Sequence, residues 1–135
     1  MDVRIASCAC GQLRVGLRGE ALRVSICCCV ACRKRTGSAY GAAAFFSKEQ
    51  IASLEGTART FPRISDAGRW VRFRFCPECG STVYWEAEFR PGVIGVALGA
   101  FDDSGPLKPE RIVWAEHKQP WVALPTDIPV HEQQD

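Results

Sequence analysis

Cysteine is the residue type whose spacing in this chain points most directly to chemistry. Eight cysteines fall in three short segments of a 135-residue sequence. They are Cys8 and Cys10, then Cys27, Cys28, Cys29 and Cys32, then Cys76 and Cys79. Thiolates this close along a chain can bind one metal ion together, and zinc is the usual ion in such sites. The two outer pairs supply four sulfurs, enough for one closed zinc site, which leaves the middle segment free to form another.

The outer pairs have the form of a structural zinc site. Segment 76–80 reads Cys-Pro-Glu-Cys-Gly and follows a strand-like run, and segment 8–11 reads Cys-Ala-Cys-Gly. The trailing glycines suit tight turns that let backbone N–H groups approach the sulfurs. We therefore predict a structural zinc ion bound by Cys8, Cys10, Cys76 and Cys79. The alternative is a pair of local redox dithiols, which a strand-rich context does not favour.

The middle segment predicts a second zinc site with an open position. In an extended chain, residues two apart share a face, so Cys27 and Cys29 point together while Cys28 points away. Cys32 follows one helical turn later, which completes a trio. Three protein ligands leave a coordination position for water or an incoming thiol, as in catalytic zinc sites. Two alternatives remain: Cys28 or His117 closes the site and makes it a scaffold, or the cysteines form disulfides when metal is lost.

The residues after this trio are candidates for substrate contacts. Arg33, Lys34 and Arg35 are predicted either to bind a carboxylate-bearing ligand or to form a solvated helix surface. Ser38 and Tyr40 are candidate pocket residues. His117, between two tryptophans in sequence, is expected to be structural or exposed.

Composition predicts one small domain in a reducing compartment. Apolar residues make up 47% of the chain and the formal charge is +2, so no strongly charged tail indicates a nucleic acid partner. A secreted disulfide framework is the alternative use of eight cysteines. The start of the chain lacks the apolar stretch of a signal peptide, and no run is long enough to span a membrane. We expect a cytoplasmic protein, monomeric or homodimeric, with no membrane partner.

Hydrophobic periodicity predicts a mainly β fold of short antiparallel strands stapled by zinc. Period-two alternation covers residues 13–17, 22–26 and 71–75, and further strands are predicted at 83–86, 93–98 and 112–115. Residues 32–36 predict a short helix ended by Gly37, and Ser47 to Gln50 predict a capping box. We expect a single zinc domain over residues 1–125 and a loosely ordered tail over 126–135.

The chain resembles the glutathione-dependent formaldehyde-activating enzyme family, also called the GFA or CENP-V-like domain. The resemblance rests on residues 8–11, on Ile26-Cys-Cys-Cys-Val-Ala-Cys-Arg33 with Thr36-Gly-Ser-Ala-Tyr-Gly41, on Phe75-Cys-Pro-Glu-Cys-Gly-Ser81, and on Lys118-Gln-Pro-Trp-Val122. These motifs occur in the family's order from about residue 6 to 125. Cys28 and His117 stand where many members have other residues.

The resemblance implies a β-tent fold with two zinc ions per chain, of which the second can be labile. It assigns Cys8, Cys10, Cys76 and Cys79 to the structural ion and Cys27, Cys29 and Cys32 to the catalytic one. It also implies a carbon–sulfur lyase, S-(hydroxymethyl)glutathione synthase-like, with glutathione and formaldehyde as partners.

Two other functions are compatible with parts of the sequence. A zinc-stapled module that binds protein or nucleic acid would use the zinc-knuckle form and the scattered arginines, but such modules are usually strongly basic. A methionine-sulfoxide-type reductase would need a lone nucleophilic cysteine in place of a metal-spaced cluster.

Overall fold

The computed structural model describes residues 2–65 and 67–134, which form ten strands, one α-helix and three short 3₁₀ helices. The elements in chain order are β1 Val3–Ser7, β2 Arg14–Arg18, β3 Arg23–Cys27, α1 Val30–Thr36, β4 Gly41–Ser47, β5 Ile51–Glu55, β6 Arg59–Ile64, β7 Trp70–Phe75, β8 Thr82–Ala87, β9 Val93–Ala97 and β10 Arg111–Val113, with 3₁₀ helices at Lys48–Gln50, Leu98–Ala100 and Ala115–His117. The prediction of a mainly β fold of short strands is confirmed.

The strands form two sheets of unequal size. The small sheet has the order β1-β2-β5, and the large sheet has the order β10-β3-β4-β9-β8-β7-β6. All six predicted strands occur, the three predicted from periodicity and the three further ones, each within about two residues of the expected bounds. The helix and its glycine stop are also confirmed, since Gly37 ends α1 with φ of 66°. The capping box at Ser47 and Gln50 is present as well.

The prediction that the strands are antiparallel is wrong for one pair. β10 runs parallel to β3, with Arg111 opposite Ser25 and Val113 opposite Cys27. Parallel neighbours need a long connection. Residues 28–110, which include α1 and the strands β4 to β9, form this connection between β3 and β10, and its last part, residues 98–110, carries the chain from β9 to the edge of the large sheet and buries Leu107.

The largest core cluster joins the two sheets. β1 and β2 contribute Ala6, Val15 and Leu17, and the large sheet contributes residues such as Phe46 and Val96. Each of these five side chains is fully buried. Burial of aliphatic and aromatic side chains contributes about 1.5–3 kcal/mol each, so this layer is the main hydrophobic source of stability and holds the two sheets together.

The opposite face of the large sheet carries a smaller aromatic cluster, here called the aromatic face. Trp85, Phe73 and Phe45 pack there with Ala43 and Val71. The rings of Phe73 and Trp85 lie 5.5 Å apart at an interplanar angle of 55°. Strand register places Cys27 on this same face, because Cys27, Ser25 and Arg23 pair with Gly41, Ala43 and Phe45.

Gly95 gives Trp85 its place on the aromatic face. A Cβ at Gly95 would lie 2.7 Å from the Trp85 Cε2 atom and 3.0 Å from Phe45. We expect Gly95→Ala to force both rings aside and to lower the free energy of unfolding by about 1–3 kcal/mol, as overpacking does. Urea unfolding followed by tryptophan fluorescence measures it. Gly99→Ala is the matched control, since nothing lies within 4 Å of the added methyl group. Equal stability of the two variants would contradict this role.

The segment after residue 125 lies along β10. The Ile112 N–H donates to the Pro129 carbonyl at 3.0 Å, and the His131 N–H donates to the Ile112 carbonyl at 2.8 Å. Trp114 and Ala115 make further backbone hydrogen bonds to residues 131–133. Loose order of residues 126–135 in solution stays a prediction. Among the described residues, no helix has the length and apolar character to cross a membrane.

Candidate metal centres

The four outer cysteines come together where the β1–β2 loop approaches the β7–β8 loop. Cys8 and Cys10 lie between β1 and β2, and Cys76 and Cys79 lie between β7 and β8. All four Sγ atoms lie within 4.8 Å of one another. The Cys8–Cys10 and Cys10–Cys76 sulfur separations are 3.6 and 3.7 Å. A tetrahedral site with Zn–S bonds of about 2.3 Å has sulfurs about 3.8 Å apart, so the cluster fits one zinc ion.

Hydrogen-bond donors approach three of the four outer sulfurs, whereas at Cys10 the Gln12 N–H is outweighed by hydrogen bonding to Cys8 and by burial, which raise its pKa to about 12. Backbone N–H groups of Leu13 and Glu78 each donate to a sulfur at 3.3 Å. The hydroxyl of Ser81 forms a 3.3 Å hydrogen bond with Cys79 and lowers the pKa of that thiol to about 5. Donors aimed at sulfur stabilise thiolate charge. The chemistry of the donor set therefore agrees with a closed structural metal site.

The trio Cys27, Cys29 and Cys32 also comes together, at the junction of β3 and α1. The three Sγ atoms lie within 4.8 Å of one another and are half-buried. Cys27 is the last residue of β3, and Cys29 is the N-cap of α1. The Cys29 sulfur accepts a hydrogen bond from the Cys32 N–H at 3.3 Å. A strand end and a helix start thus fix all three sulfurs on one side of the chain.

The trio fits a metal cation because its thiols cannot all ionise together without one. Hydrogen bonds from Cys27 and Cys32 lower the pKa of Cys29, whereas hydrogen bonds to Cys29 and Cys32 raise the pKa of Cys27. One sulfur therefore takes the negative charge and its neighbours keep their protons. A bound dication removes this conflict by ionising every coordinating thiol. Two clusters compatible with two zinc ions are thus present.

Neither Cys28 nor His117 completes the trio. Cys28 is 1% exposed and packs with Ile26 and Ile112 on the other side of the strand. The His117 ring stacks on Trp114, with centroids 5.8 Å apart, and lies 3.5 Å from Glu116 at the surface. Among the described residues, the metal-ligating group at this place contains three side chains and no fourth.

The three cations after the trio take different positions. Lys34 is exposed. Arg33 lines a groove of about 760 Å³ beside the C-terminal end of α1, and Ser38 and Tyr40 line the same groove. Arg35 instead turns toward the aromatic face, where its guanidinium carbon lies 4.5 Å from the centre of the Trp85 ring. Arg35 and the Cys32 sulfur both lie against Gly41, which places this guanidinium beside the trio.

Several residues around the two clusters were missed by sequence reasoning. Gln12 donates to the Cys76 sulfur at 3.0 Å and to the Thr57 carbonyl at 2.7 Å, so it links the four-cysteine cluster to the turn before β6. Arg63 reaches the aromatic face from β6, the edge strand of the large sheet. Gly41 lies against Cys32 and Arg35. Spacing gives no signal for Gln12, because its partners lie 45 and 64 residues away, and the contacts of Arg63 and Gly41 depend on how the strands pair.

Arg111 is another missed residue, on the same face as Cys27. Its Nε–H donates to the Ser25 hydroxyl at 2.9 Å in a buried hydrogen bond. Burial, followed by the charges of Arg23 and Arg90, lowers the pKa of Arg111 to about 10. The guanidinium still stays protonated near neutral pH, so the side of the trio next to β10 is electropositive.

Fold and sites together define a small mainly β protein with two cysteine clusters able to bind metal. Residues 3–117 match the family model described as glutathione-dependent formaldehyde-activating enzyme, and the chain belongs to that family. A crystal structure of a Rhodobacter sphaeroides protein, a structural genomics target, has the same fold with a TM-score of 0.60. It is 16% identical, and the match covers 93% of this chain and 98% of that one. No curated protein matches the sequence.

Proposed function

We propose that this protein is a zinc-dependent carbon–sulfur lyase of the S-(hydroxymethyl)glutathione synthase type. It would join a small thiol such as glutathione to formaldehyde or a related aldehyde. The observation that carries the proposal is the trio itself: three sulfurs converge, and the described residues supply no fourth donor. A ligand from outside the chain, of which a thiol is the softest common example, then has a place to bind.

The chain's own residues hold and orient this site. Cys27, Cys29 and Cys32 would bind the zinc ion, which when bound supplies the positive charge that keeps a thiol ionised at neutral pH. The Cys32 N–H fixes the Cys29 sulfur. Burial of Cys28 behind the strand keeps a competing thiol out of the site. The four-cysteine cluster, on separate loops, would hold the folded frame rather than take part in the reaction.

The reaction needs no external oxidant or reductant. The substrate's thiolate sulfur adds to the carbonyl carbon of the aldehyde, which forms the carbon–sulfur bond. The carbonyl π electrons move to oxygen, and the proton released from the thiol ends on that oxygen. The reverse reaction breaks the same bond and returns thiol and aldehyde. Fixing the sulfur in one place lowers the barrier mainly by removing the entropy of bringing the two reactants together.

Exchange NMR of a mixture of glutathione and formaldehyde tests the proposal. Because adduct formation also occurs spontaneously, the quantity to compare is the exchange rate with and without protein. We expect the zinc-loaded protein to raise this rate at least about tenfold, and Cys28→Ala to behave like wild type. A rate no higher than the spontaneous one would contradict the proposal and would leave a non-catalytic zinc-stapled binding module as the better description.

We also propose a reducing compartment such as the cytoplasm for this chemistry. All eight cysteines are free thiols in the structure, and both clusters need reduced sulfur to bind metal. A monomeric or homodimeric state stays a prediction.

A further inference from the structure

Two arginines flank one aromatic ring beside the trio. The guanidinium carbon of Arg35 lies 4.5 Å from the centre of the Trp85 ring and 5.5 Å from that of Phe73. The guanidinium carbon of Arg63 lies 5.7 Å from the same Phe73 ring. Arg35 comes from α1 and Arg63 from the edge strand β6. Two distant parts of the chain thus bring cations to the aromatic face, an arrangement that cation–π attraction stabilises.

This pair of arginines borders the metal-binding sulfurs. A Cβ built on Gly41 would lie 2.9 Å from Arg35 Nη2 and 3.6 Å from Cys32 Sγ. The guanidinium and the sulfur are therefore both within 4 Å of one point. Arg63 joins Arg35 at the Phe73 ring, where the two guanidinium carbons lie 5.7 and 5.5 Å from the ring centre. A ligand with its sulfur at the trio therefore has the Arg35 guanidinium close to its bound atom, and the Arg63 guanidinium lies at the same aromatic face over Phe73.

Both arginines have donor capacity that the protein does not use. The Nε atoms of Arg35 and Arg63 are buried and have no hydrogen-bond partner among the described residues. A buried donor without an acceptor is unfavourable, and a carboxylate is the acceptor that best matches a guanidinium, because the two groups can form paired hydrogen bonds. The rings of the aromatic face hold the two planar guanidinium groups in place, which reduces the entropy lost when an anion binds.

We propose that Arg35 and Arg63 form a carboxylate clamp that makes the trio selective for thiols bearing a carboxylate. The inference rests on the proposed function and names its substrate class: the sulfur lies at the trio and the carboxylate is bound by the guanidinium groups. Neutral thiols reach the same sulfur position without this second anchor.

Calorimetric titration with two thiols of equal length tests the clamp. The probes are 3-mercaptopropionate, which carries a carboxylate, and 3-mercaptopropan-1-ol, which carries a hydroxyl group in its place. We expect the zinc-loaded wild type to bind the acid about ten to a hundred times more tightly than the alcohol, the range expected for hydrogen bonds to a charged group. This comparison needs no variant, so it stands even if a substitution impairs folding.

Charge-removing variants locate the selectivity. We expect Arg35→Gln and Arg63→Gln each to weaken binding of the acid about tenfold and to leave binding of the alcohol and the zinc content unchanged. Arg72→Gln is the matched control, because Arg72 is exposed and stacks on Trp70, with its guanidinium carbon 3.9 Å from the ring centre. Arg72→Gln removes the same charge at the residue before Phe73 on β7, and it should leave the affinities for the acid and for the alcohol as in wild type.

The outcomes separate this inference from the proposed function. Equal affinity for acid and alcohol, with both lost in Cys29→Ser, would overturn the clamp and leave the thiol site intact. Equal loss of acid binding in Arg72→Gln would also overturn the clamp, because a general charge effect would then explain the preference. Failure of both thiols to bind the wild type would overturn the clamp and the proposed thiol site together.

Discussion

Cys76→Ser is expected to unfold the protein at room temperature. Cys76 is fully buried, and its sulfur lies 3.7 Å from that of Cys10 and accepts a hydrogen bond from Gln12. A structural zinc site contributes about 10–16 kcal/mol of binding free energy in small domains. The whole folding free energy of a domain is about 5–15 kcal/mol. Weakening the four-cysteine link between the β1–β2 loop and the β7–β8 loop therefore removes an amount comparable to the total stability.

Circular dichroism and zinc analysis of the purified variants measure this effect. Cys28→Ala is the matched control, because Cys28 is equally buried but belongs to no metal-ligating group. Loss of its sulfur should lower stability only by about 1–2 kcal/mol, as small core truncations do. A Cys76→Ser protein that stays folded with the zinc content of wild type would show that the four-cysteine cluster is not a structural zinc site.

Cys29→Ser is expected to keep the fold and lose the second zinc ion together with thiol binding. Serine is a favourable N-cap, so its hydroxyl can accept the Cys32 N–H in place of the sulfur and α1 keeps its start. The trio, however, falls to two thiolates, and zinc affinity falls with the lost ligand. Zinc content should drop from about two ions per chain to about one, and the rate of adduct exchange should fall to the spontaneous value.

The same measurements on Cys28→Ala and on wild type provide the comparison. Cys28 is the adjacent cysteine but lies outside the trio and is buried on the other side of the strand, so the loss of zinc and activity is expected in Cys29→Ser and not in Cys28→Ala. Full zinc content and full exchange rate in Cys29→Ser would remove Cys29 from the site and with it the proposed assignment of the trio.

Short-range patterns predicted the parts of this protein that short-range geometry decides. The two-residue period of a strand placed Cys27 and Cys29 on one side and Cys28 on the other, and the structure has Cys28 in a core cluster with Ile26. The capping box at Ser47 and the glycine stop at Gly37 were also readable, because each depends on contacts within four residues. The three alternating strands at 13–17, 22–26 and 71–75 belong to the same class of local signal.

Features that depend on contacts between residues far apart in sequence could not be predicted from local patterns. β4 reads Gly-Ala-Ala-Ala-Phe-Phe-Ser and shows no alternation of apolar and polar residues. The strand lies inside the large sheet between β3 and β9, and because both of its faces are covered, neither face favours polar side chains. β6 is largely exposed and contains a proline, which hides its strand character. The parallel pairing of β10 depends on how residues 98–110 cross the fold. Arg63 belongs to the proposed clamp because β6 pairs with β7, which brings Arg63 close to Phe73.

Cobalt substitution tests the central claim most directly, because sulfur-to-cobalt charge-transfer absorbance reports the sulfur atoms bound to the metal. Glutathione is titrated into protein carrying cobalt at both clusters, with Cys29→Ser and Cys28→Ala alongside. The account predicts that the charge-transfer absorbance of wild type and Cys28→Ala grows and saturates, as an external sulfur joins the trio, and that Cys29→Ser shows no such growth. An unchanged wild-type spectrum at saturating glutathione, or equal growth in Cys29→Ser, would contradict it.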